Sequence, residues 1–358
     1  MNYRDIYVGI DGSELSNAAA QYAISIGRAD DAKLHGSHVY AAKLHERRFK
    51  MMEGGLPEEY REENALEHQR NIHDSLITQG LELITDSYLC AMEQSCRESG
   101  IPFCGVSLEG KNWRELAKDI NAKDYDLIVL GGHGVGRVAV SQLGTVTERL
   151  LRRVRRDVFI CNKSMEENGS DEVVVCLDGS SRSWGALKRG LALAKSFQKK
   201  MIAISCFDPY FHYAMFSAIN RVITDKAREV FKFEEQEKLH EDIIDSGLAK
   251  IYQSHLDVAK RIGGAEGLEI STQLLDGKAY AKILEFIGQR SPWLVLMGRI
   301  GIHSDEDMDI GGNTENVCRL AECNVLVVET KYSPPQEYLA EATVTWTKEA
   351  SGKMNLVP

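Results

Sequence analysis

The sequence predicts an α/β protein made of two tandem copies of one domain, each a doubly wound layer around a parallel five-stranded sheet. Three observations carry this: a repeat at one constant offset, short apolar runs alternating with amphipathic stretches, and glycine loops placed after strands. Asp11, Gly12 and Ser13 recur as Asp178, Gly179 and Ser180, and Gly110-Lys111 recurs as Gly277-Lys278. Gly131, Gly134, Gly144, Thr147 and Glu148 recur as Gly298, Gly301, Gly311, Thr314 and Glu315, every pair 167 residues apart with no insertion between. Even the polar middle keeps step, with Gln69, His73 and Gly80 falling on Gln236, His240 and Gly247. This predicts a first domain over 1–163, a linker over 164–171, a second domain over 172–331 and a tail over 332–358.

Within each copy the order reads strand, helix, strand, long helical region, strand, short helix, strand, helix, strand. IYVGID and EVVVCLD are short apolar runs ending in Asp-Gly-Ser, which suits a buried parallel strand followed by a turn and a helix start. ELSNAAAQYAISIGRA is the helix that follows in the first copy. LHGSHVYAA and MIAISCFD are the second strands, FCGVSLEG and LEISTQLLDG the third, DLIVLGG and WLVLMGR the fourth, DVFICN and NVLVVE the fifth. The inserts from Leu44 to Ile101 and from Phe211 to Leu268 are long for such a domain and equal in length. Strands alternating with helices imply right-handed crossovers, and ligands of such sheets sit beyond the carboxyl ends of the strands, where strand order reverses.

Composition narrows the function. The net charge of −10 is spread without a long basic run, so no nucleic-acid partner is expected. No stretch of about 18 apolar residues and no signal-peptide pattern occur, which predicts a soluble, cytoplasmic protein without a membrane partner. The eight cysteines contain no CxxC and are read as reduced thiols. Ser13 and Ser180 follow Asp-Gly, where a hydroxyl caps the next helix, and no nucleophile or paired-carboxylate arrangement stands out, so no catalytic residue is assigned. His73 and His240 each follow a glutamate, Glu67 and Glu234, by six residues, which is not one helical face. They are read as helix packing or as a pair shared between the copies.

The chemistry concentrates in LGGHGVGRVAVSQLGTVTERL, residues 130–150. No GxxxxGK[ST] occurs, so a Walker loop is excluded. Gly134, Gly136 and Ala139 fit GxGxxA, but the match precedes the last strand rather than opening the first βαβ unit, and the second copy carries His303 in place of Gly136. What recurs is Gly131-x2-Gly134-x9-Gly144. Two glycines let the backbone pass close to a ligand, and the third precedes a helix whose free N–H groups suit phosphate oxygens. Thr145 and Thr147 would add hydroxyl donors and Arg137 a cation.

This G-x2-G-x9-G-(S/T) motif, with the Asp-Gly-Ser turn and the His38-Val39 pair ending the second strand, resembles the universal stress protein (UspA) family in its ATP-binding branch. The resemblance covers both copies, as a tandem member, and implies an adenine nucleotide alpha hydrolase-like, Rossmann-like fold. It implies ATP, with or without Mg2+, with the ribose near Asp11 and adenine against the backbone of Val39 and near Leu130. The phosphates would lie on Gly131, His133, Gly134, Gly144, Thr145, Val146 and Thr147. It also implies pairing through the last strand, here satisfied within the chain as a pseudo-dimer, with further homo-oligomers left open.

The second copy departs from the pattern. Asp178, Gly298, Gly301, Gly311 and Thr314 are kept, but Gly312 replaces the Ser or Thr and Ile300 replaces His133. Asp305, Glu306, Asp307 and Asp309 place four carboxylates in the loop expected to face phosphates, where like charges cost on the order of 1 kcal/mol per pair. Asp305-x-Asp307-x-Asp309 is similar to the opening of a calcium loop, yet Ile310 and Asn316 stand where Gly and Glu belong, so the segment is read as a solvated acidic loop, with magnesium alongside a nucleotide as the alternative. The tail VTWTKEASGKMNLVP resembles the opening of a small helical domain of light-independent protochlorophyllide reductase subunits. The resulting expectation is a nucleotide-binding regulatory module for the stress response, read by an unidentified protein partner and at most a slow ATPase. The alternative is a scaffold working through the long inserts.

Overall fold

The computed structural model describes residues 2–58, 62–136, 142–208, 217–239 and 246–339. Arg137, His240 and the tail beyond Leu339 lie outside the described residues. The chain divides into two compact units, one of Asn2–Gly169 and one that begins at Ser170.

The first unit runs β1 (Asp5–Gly9), α1 (Glu14–Asp30), β2 (Lys33–Tyr40), α2 (Ala42–Met52), α3 (Glu63–Glu98), β3 (Phe103–Glu109), α4 (Asn112–Ala122), β4 (Leu127–Gly131), α5 (Thr145–Arg153) and β5 (Asp157–Cys161). Its strands are all parallel in the order β3-β2-β1-β4-β5. The chain builds outward from β1 to β3 on one side and then from β4 to β5 on the other. The order therefore reverses between β1 and β4, whose register pairs Val8 with Val129.

The apolar runs are buried on both faces, as parallel strands between helices must be: Leu127, Ile128, Val129, Val158, Phe159 and Ile160 are inaccessible to solvent. Ser13 caps α1 by accepting the N–H of Ser16, and Asp31 closes it in the left-handed region at φ 55°. α5 presents Leu150 and Leu151 to the core.

The second unit repeats this plan with β6 (Glu172–Leu177), α6 (Ser181–Ser196), β7 (Lys200–Phe207), α7 (Asp225–Val230), α8 (Phe233–Leu239), α9 (Ser246–Ala265), β8 (Ile270–Asp276), α10 (Ala279–Arg290), β9 (Leu294–Gly298), α11 (Gly312–Leu320) and β10 (Asn324–Val328). Its parallel order is β8-β7-β6-β9-β10. Ser180 caps α6 as Ser13 caps α1. The inserts diverge. In the first unit one 36-residue helix, α3, packs on β2 and β3, whereas in the second the described part of the insert is divided among shorter helices.

Because Leu150 is fully buried, Leu150→Ala should destabilise the first unit by about 2–5 kcal/mol in urea unfolding, while Lys118→Ala on the exposed face of α4 should stay within about 0.5 kcal/mol. Equal effects of the two substitutions would contradict the packing of α5 described above.

Candidate functional site

In the first unit a cavity of about 440 Å³ opens at the strand-order reversal. It brings together Asp11, Val39, Leu130, Gly131, His133, Gly134, Gly144, Thr145, Val146 and Thr147, every described residue that the sequence nominated in this copy. Residues that went unnominated also line it, among them Ser16, His38, Asn112 and Leu116. Asn112 and Leu116 are one turn apart on α4, just after the repeated Gly-Lys pair, which was the signal available for them.

Backbone proximity explains the three recurring glycines. A Cβ on Gly131 would stand 2.9 Å from the Ser16 nitrogen and 3.0 Å from the Leu15 carbonyl carbon, so the end of β4 can pass the start of α1 only as bare backbone. A Cβ on Gly134 would collide with the Asp11 carboxylate, and one on Gly144 would sit 2.9 Å from the Gly132 oxygen. The Gly144 N–H donates to that same oxygen at 2.7 Å, which closes the base of the loop.

Asp11 is held by one oxygen only. The Ser13 N–H and hydroxyl donate to Oδ1 at 3.0 and 2.5 Å, and the Asp11 N–H donates to Ser16 Oγ at 3.0 Å. Among the described residues Oδ2 accepts no hydrogen bond, and it lies beside Gly134 at the cavity. Facing it is the start of α5, where Gly144 offers no side-chain cap and the first intrahelical bond is Glu148 N–H to Gly144 O. The N–H groups of Thr145, Val146 and Thr147 therefore have no acceptor inside the helix, and these residues line the cavity. His38 donates or accepts through Nδ1 to Thr85 Oγ1 at 2.8 Å; burial pushes its pKa down against the opposing pull of Asp11, so the ring is neutral at pH 7.

One nominated group has a different job. Thr147 is 4% exposed and its hydroxyl donates to the Gly131 carbonyl at 2.7 Å, while Thr314 does the same to Gly298 at 2.8 Å. The carbonyl ending β4 needs a donor, and the threonine in the next helix supplies it. The recurrence of this threonine thus reflects the strand-to-helix connection, and Thr147 lends the cavity its backbone N–H rather than its hydroxyl.

The corresponding cavity of the second unit is about 180 Å³ and includes Asp178, Gly298, Gly301, Gly311, Gly312 and Thr314. Tyr252, where the first copy has Thr85, reaches its lining. Both Asp178 oxygens are engaged: Ser180 donates to Oδ1 from N–H and hydroxyl at 3.0 and 2.6 Å, and the Ile302 N–H donates to Oδ2 at 2.9 Å. A Cβ on Gly312 would meet nothing within 4 Å, so the missing hydroxyl there is not imposed by space.

The acidic loop corrects an expectation. None of Asp305, Glu306, Asp307 and Asp309 is among the residues lining this cavity. Glu306 instead receives Arg182 at 3.0 and 3.2 Å and Lys331 at 3.1 Å, and Arg182 followed by Lys331 holds its carboxyl down at about 2. Arg182 also binds Glu329 at 2.8 Å, and the fully buried Arg299 pairs with Glu329 at 2.9 Å. The first copy has Leu15, Gly132 and Asn162 at the positions of Arg182, Arg299 and Glu329, so this network belongs to the second copy alone. Asp309 accepts the N–H of Ile310 at 2.8 Å, and among the described residues no three His, Cys, Asp or Glu gather as metal ligands. His73 stacks on Phe49 with ring centres 4.1 Å apart and lies 5.1 Å from His45, which ties α3 to α2. Burial raises the thiols of Cys161, Cys206 and Cys318 to about 12, so they stay protonated and unreactive at neutral pH.

With this geometry in hand, comparison with known proteins places the chain. The profile of the universal stress protein family matches residues 2–162 and again 169–329. The chain belongs to the universal stress protein family and carries two of its domains in tandem. A universal stress protein of Methanocaldococcus jannaschii is 27% identical over 163 residues, covering 46% of this chain and 84% of the relative. One from Mycobacterium tuberculosis is 27% identical over 180 residues, covering 50% of this chain and 55% of the relative, so the match spans about half of that protein's length. Among solved structures, a universal stress protein from Archaeoglobus fulgidus covers 92% of this chain and 99% of its own at 17% identity, with a TM-score of 0.57. A functionally unknown protein from Pseudomonas aeruginosa covers 97% and 98% at 15% identity and a TM-score of 0.55. At these identities the structures agree with this chain in fold, an α/β arrangement with parallel sheets. Among the described residues no helix is long and apolar enough to cross a membrane.

The Glu306 network has a pH signature. A carboxyl held at about 2 against an ordinary 4.5 favours the folded state above pH 4.5, and that contribution fades as pH falls toward about 2. The stability difference between the wild type and Glu306→Gln should accordingly be present at pH 6 and shrink below pH 4.5. A difference that stays level from pH 6 to pH 3 would contradict the ion pairs.

Proposed function

We propose that the first unit binds an adenine nucleotide, ATP with or without Mg2+, and that the bound nucleotide regulates the interaction of this protein with a protein partner during stress. The observation that carries the reading is the meeting of two unused polar elements across one cavity: Asp11 Oδ2 and the first-turn amides of α5. Asp11 suits a ribose hydroxyl, and the Thr145, Val146 and Thr147 N–H groups suit phosphate oxygens, aided by the helix dipole. Val39 and Leu130 would take the adenine, Gly131, His133, Gly134 and Gly144 would line the phosphate path, and Arg137 would add a cation. Adenine nucleotide bound across this loop would set its position, and a partner would read that position in the cytoplasm. Any ATP hydrolysis would be slow and incidental to this regulatory role.

In the second unit the smaller cavity, the doubly bonded Asp178 and Gly312 in place of the threonine favour an empty or weakly occupied site. A second reading has its own observation: α2 and α3 expose Met51, Met52, Leu76 and Leu83 at 84%, 61%, 67% and 70%. Such surface suits a scaffold that works through its inserts. Partner binding unchanged by blocking the cavity would favour the scaffold.

Calorimetry on the full chain should detect ATP binding, and adenine nucleotide should be released when the purified protein is denatured. Gly144→Val, whose side chain must enter the space at the Gly132 oxygen, should weaken ATP by about 100-fold or more, equivalent to ~2.7 kcal/mol. Asp11→Ala should weaken it less, and Thr145→Ser should bind as the wild type. Absence of both heat and released nucleotide in the wild type would remove the proposal.

A further inference from the structure

Beside the cavity, on the outward side of α4 and α5, four cations crowd one aromatic ring. Arg153, Arg149, Arg114 and Lys111 stand 4.5, 5.4, 5.6 and 5.7 Å from the centre of the Trp113 ring, and all four are exposed. Among the described residues none of them has a carboxylate within ion-pair distance. Of the acids on α4 and α5, Asp119 is already paired with Lys123 at 3.0 Å, and neither Glu115 nor Glu148 forms an ion pair with any of the four.

The ring face partly compensates this arrangement, since cations are drawn to indole. Mutual repulsion works against it, because Arg149 and Arg153 are four apart on one helix, a spacing at which like charges destabilise. The second copy shows that the fold does without the cluster. Its counterparts of Trp113, Arg114, Arg149 and Arg153 are Tyr280, Ala281, Asn316 and Leu320, and only Lys278 remains, over Tyr280. Four charges around one ring in the first copy, three of them absent from the matching positions of the second, point to a use outside the fold.

We propose that this face of α4 and α5 docks an acidic segment of a partner protein. Three features select that occupant. Three of the four cations are guanidinium groups, which fork onto carboxylates in two parallel hydrogen bonds. The patch is small, since Arg149 and Arg153 are about 6 Å apart along the helix axis, which matches a few carboxylates rather than a long polyanion. The full chain carries a net charge of −10, which works against a duplex or an anionic membrane, whose footprint extends well beyond the patch. A short acidic segment feels only charges within a Debye length of about 8 Å. This docking face does not depend on nucleotide occupancy for its chemistry.

The test is fluorescence anisotropy with the full chain, using a fluorescein-labelled Glu-rich peptide and its Gln-for-Glu counterpart as probes. The Glu peptide should bind and the Gln peptide should not, and affinity should fall as salt rises from 50 to 300 mM. The double variant Arg149→Gln, Arg153→Gln should lose about tenfold or more in affinity for the Glu peptide. Its thermal midpoint should hold or rise, because repulsion is relieved, and its ATP binding should be unchanged. Equal binding of the two peptides, equal binding by wild type and variant, or a fall in the midpoint with no loss of peptide binding would each overturn the proposal. So would tighter binding of single-stranded DNA or phosphatidylserine vesicles than of the peptide, which would give the patch a different class of partner.

Discussion

The passage of β4 over the start of α1 as bare backbone at Gly131 is the constraint on which the rest of the first unit depends. With Cβ positions 2.9 and 3.0 Å from backbone atoms of Ser16 and Leu15, nothing larger than glycine leaves the two elements where they are. The same crossing is built at Gly298, against Ser183 and Arg182 at 2.9 and 3.0 Å. Once it is made, the Thr147 hydroxyl ties the carbonyl of that glycine to α5, and the Gly144 N–H ties the loop base to Gly132. The first-turn residues of α5 thereby line the same cavity as Asp11, whose Oδ2 accepts no hydrogen bond among the described residues. Cavity, donors and acceptor follow from a single close approach.

Duplication supplies an internal comparison within one chain. Both copies keep the crossing, the threonine latch and the capped first helix, so these belong to the fold. Only the first copy keeps an open carboxylate oxygen, a wide cavity and Thr145. The second replaces Leu15, Gly132 and Asn162 by Arg182, Arg299 and Glu329 and fills the space behind its loop with charge pairs. Breaking such buried pairs one partner at a time is costly, so the network fixes the loop in place. The same positions thus carry charge pairs in the second copy and uncharged residues in the first.

Much of this was legible in the residues. The ten strands and the three glycines of the loop could be read because a repeated glycine spacing reports a backbone constraint and a continuous apolar run reports burial on two faces, whereas Asp11, Val39, Leu130, His133 and Val146 came from the family resemblance. Thr147 was legible as important but not in its role, since a hydroxyl suits a phosphate or a carbonyl equally well until the geometry chooses. The carboxylates at 305–309 read as repulsive because the cation that takes Glu306 is Arg182, 124 residues away, and no local pattern announces it. The division of the second insert into shorter helices was hidden by its equal length and its match to α3. Lys111 and Arg114 are likewise far in sequence from Arg149 and Arg153, so their joint approach to Trp113 emerges only when α4 and α5 lie side by side.

The central claim is that the two copies have parted in function, with one adenine nucleotide site in the first. Native mass spectrometry of the full chain with a graded excess of ATP tests this most directly. The account predicts saturation at one ATP per chain, lost in Gly144→Val and kept in Gly311→Val. Saturation at two per chain, or no bound nucleotide at any excess, would contradict it.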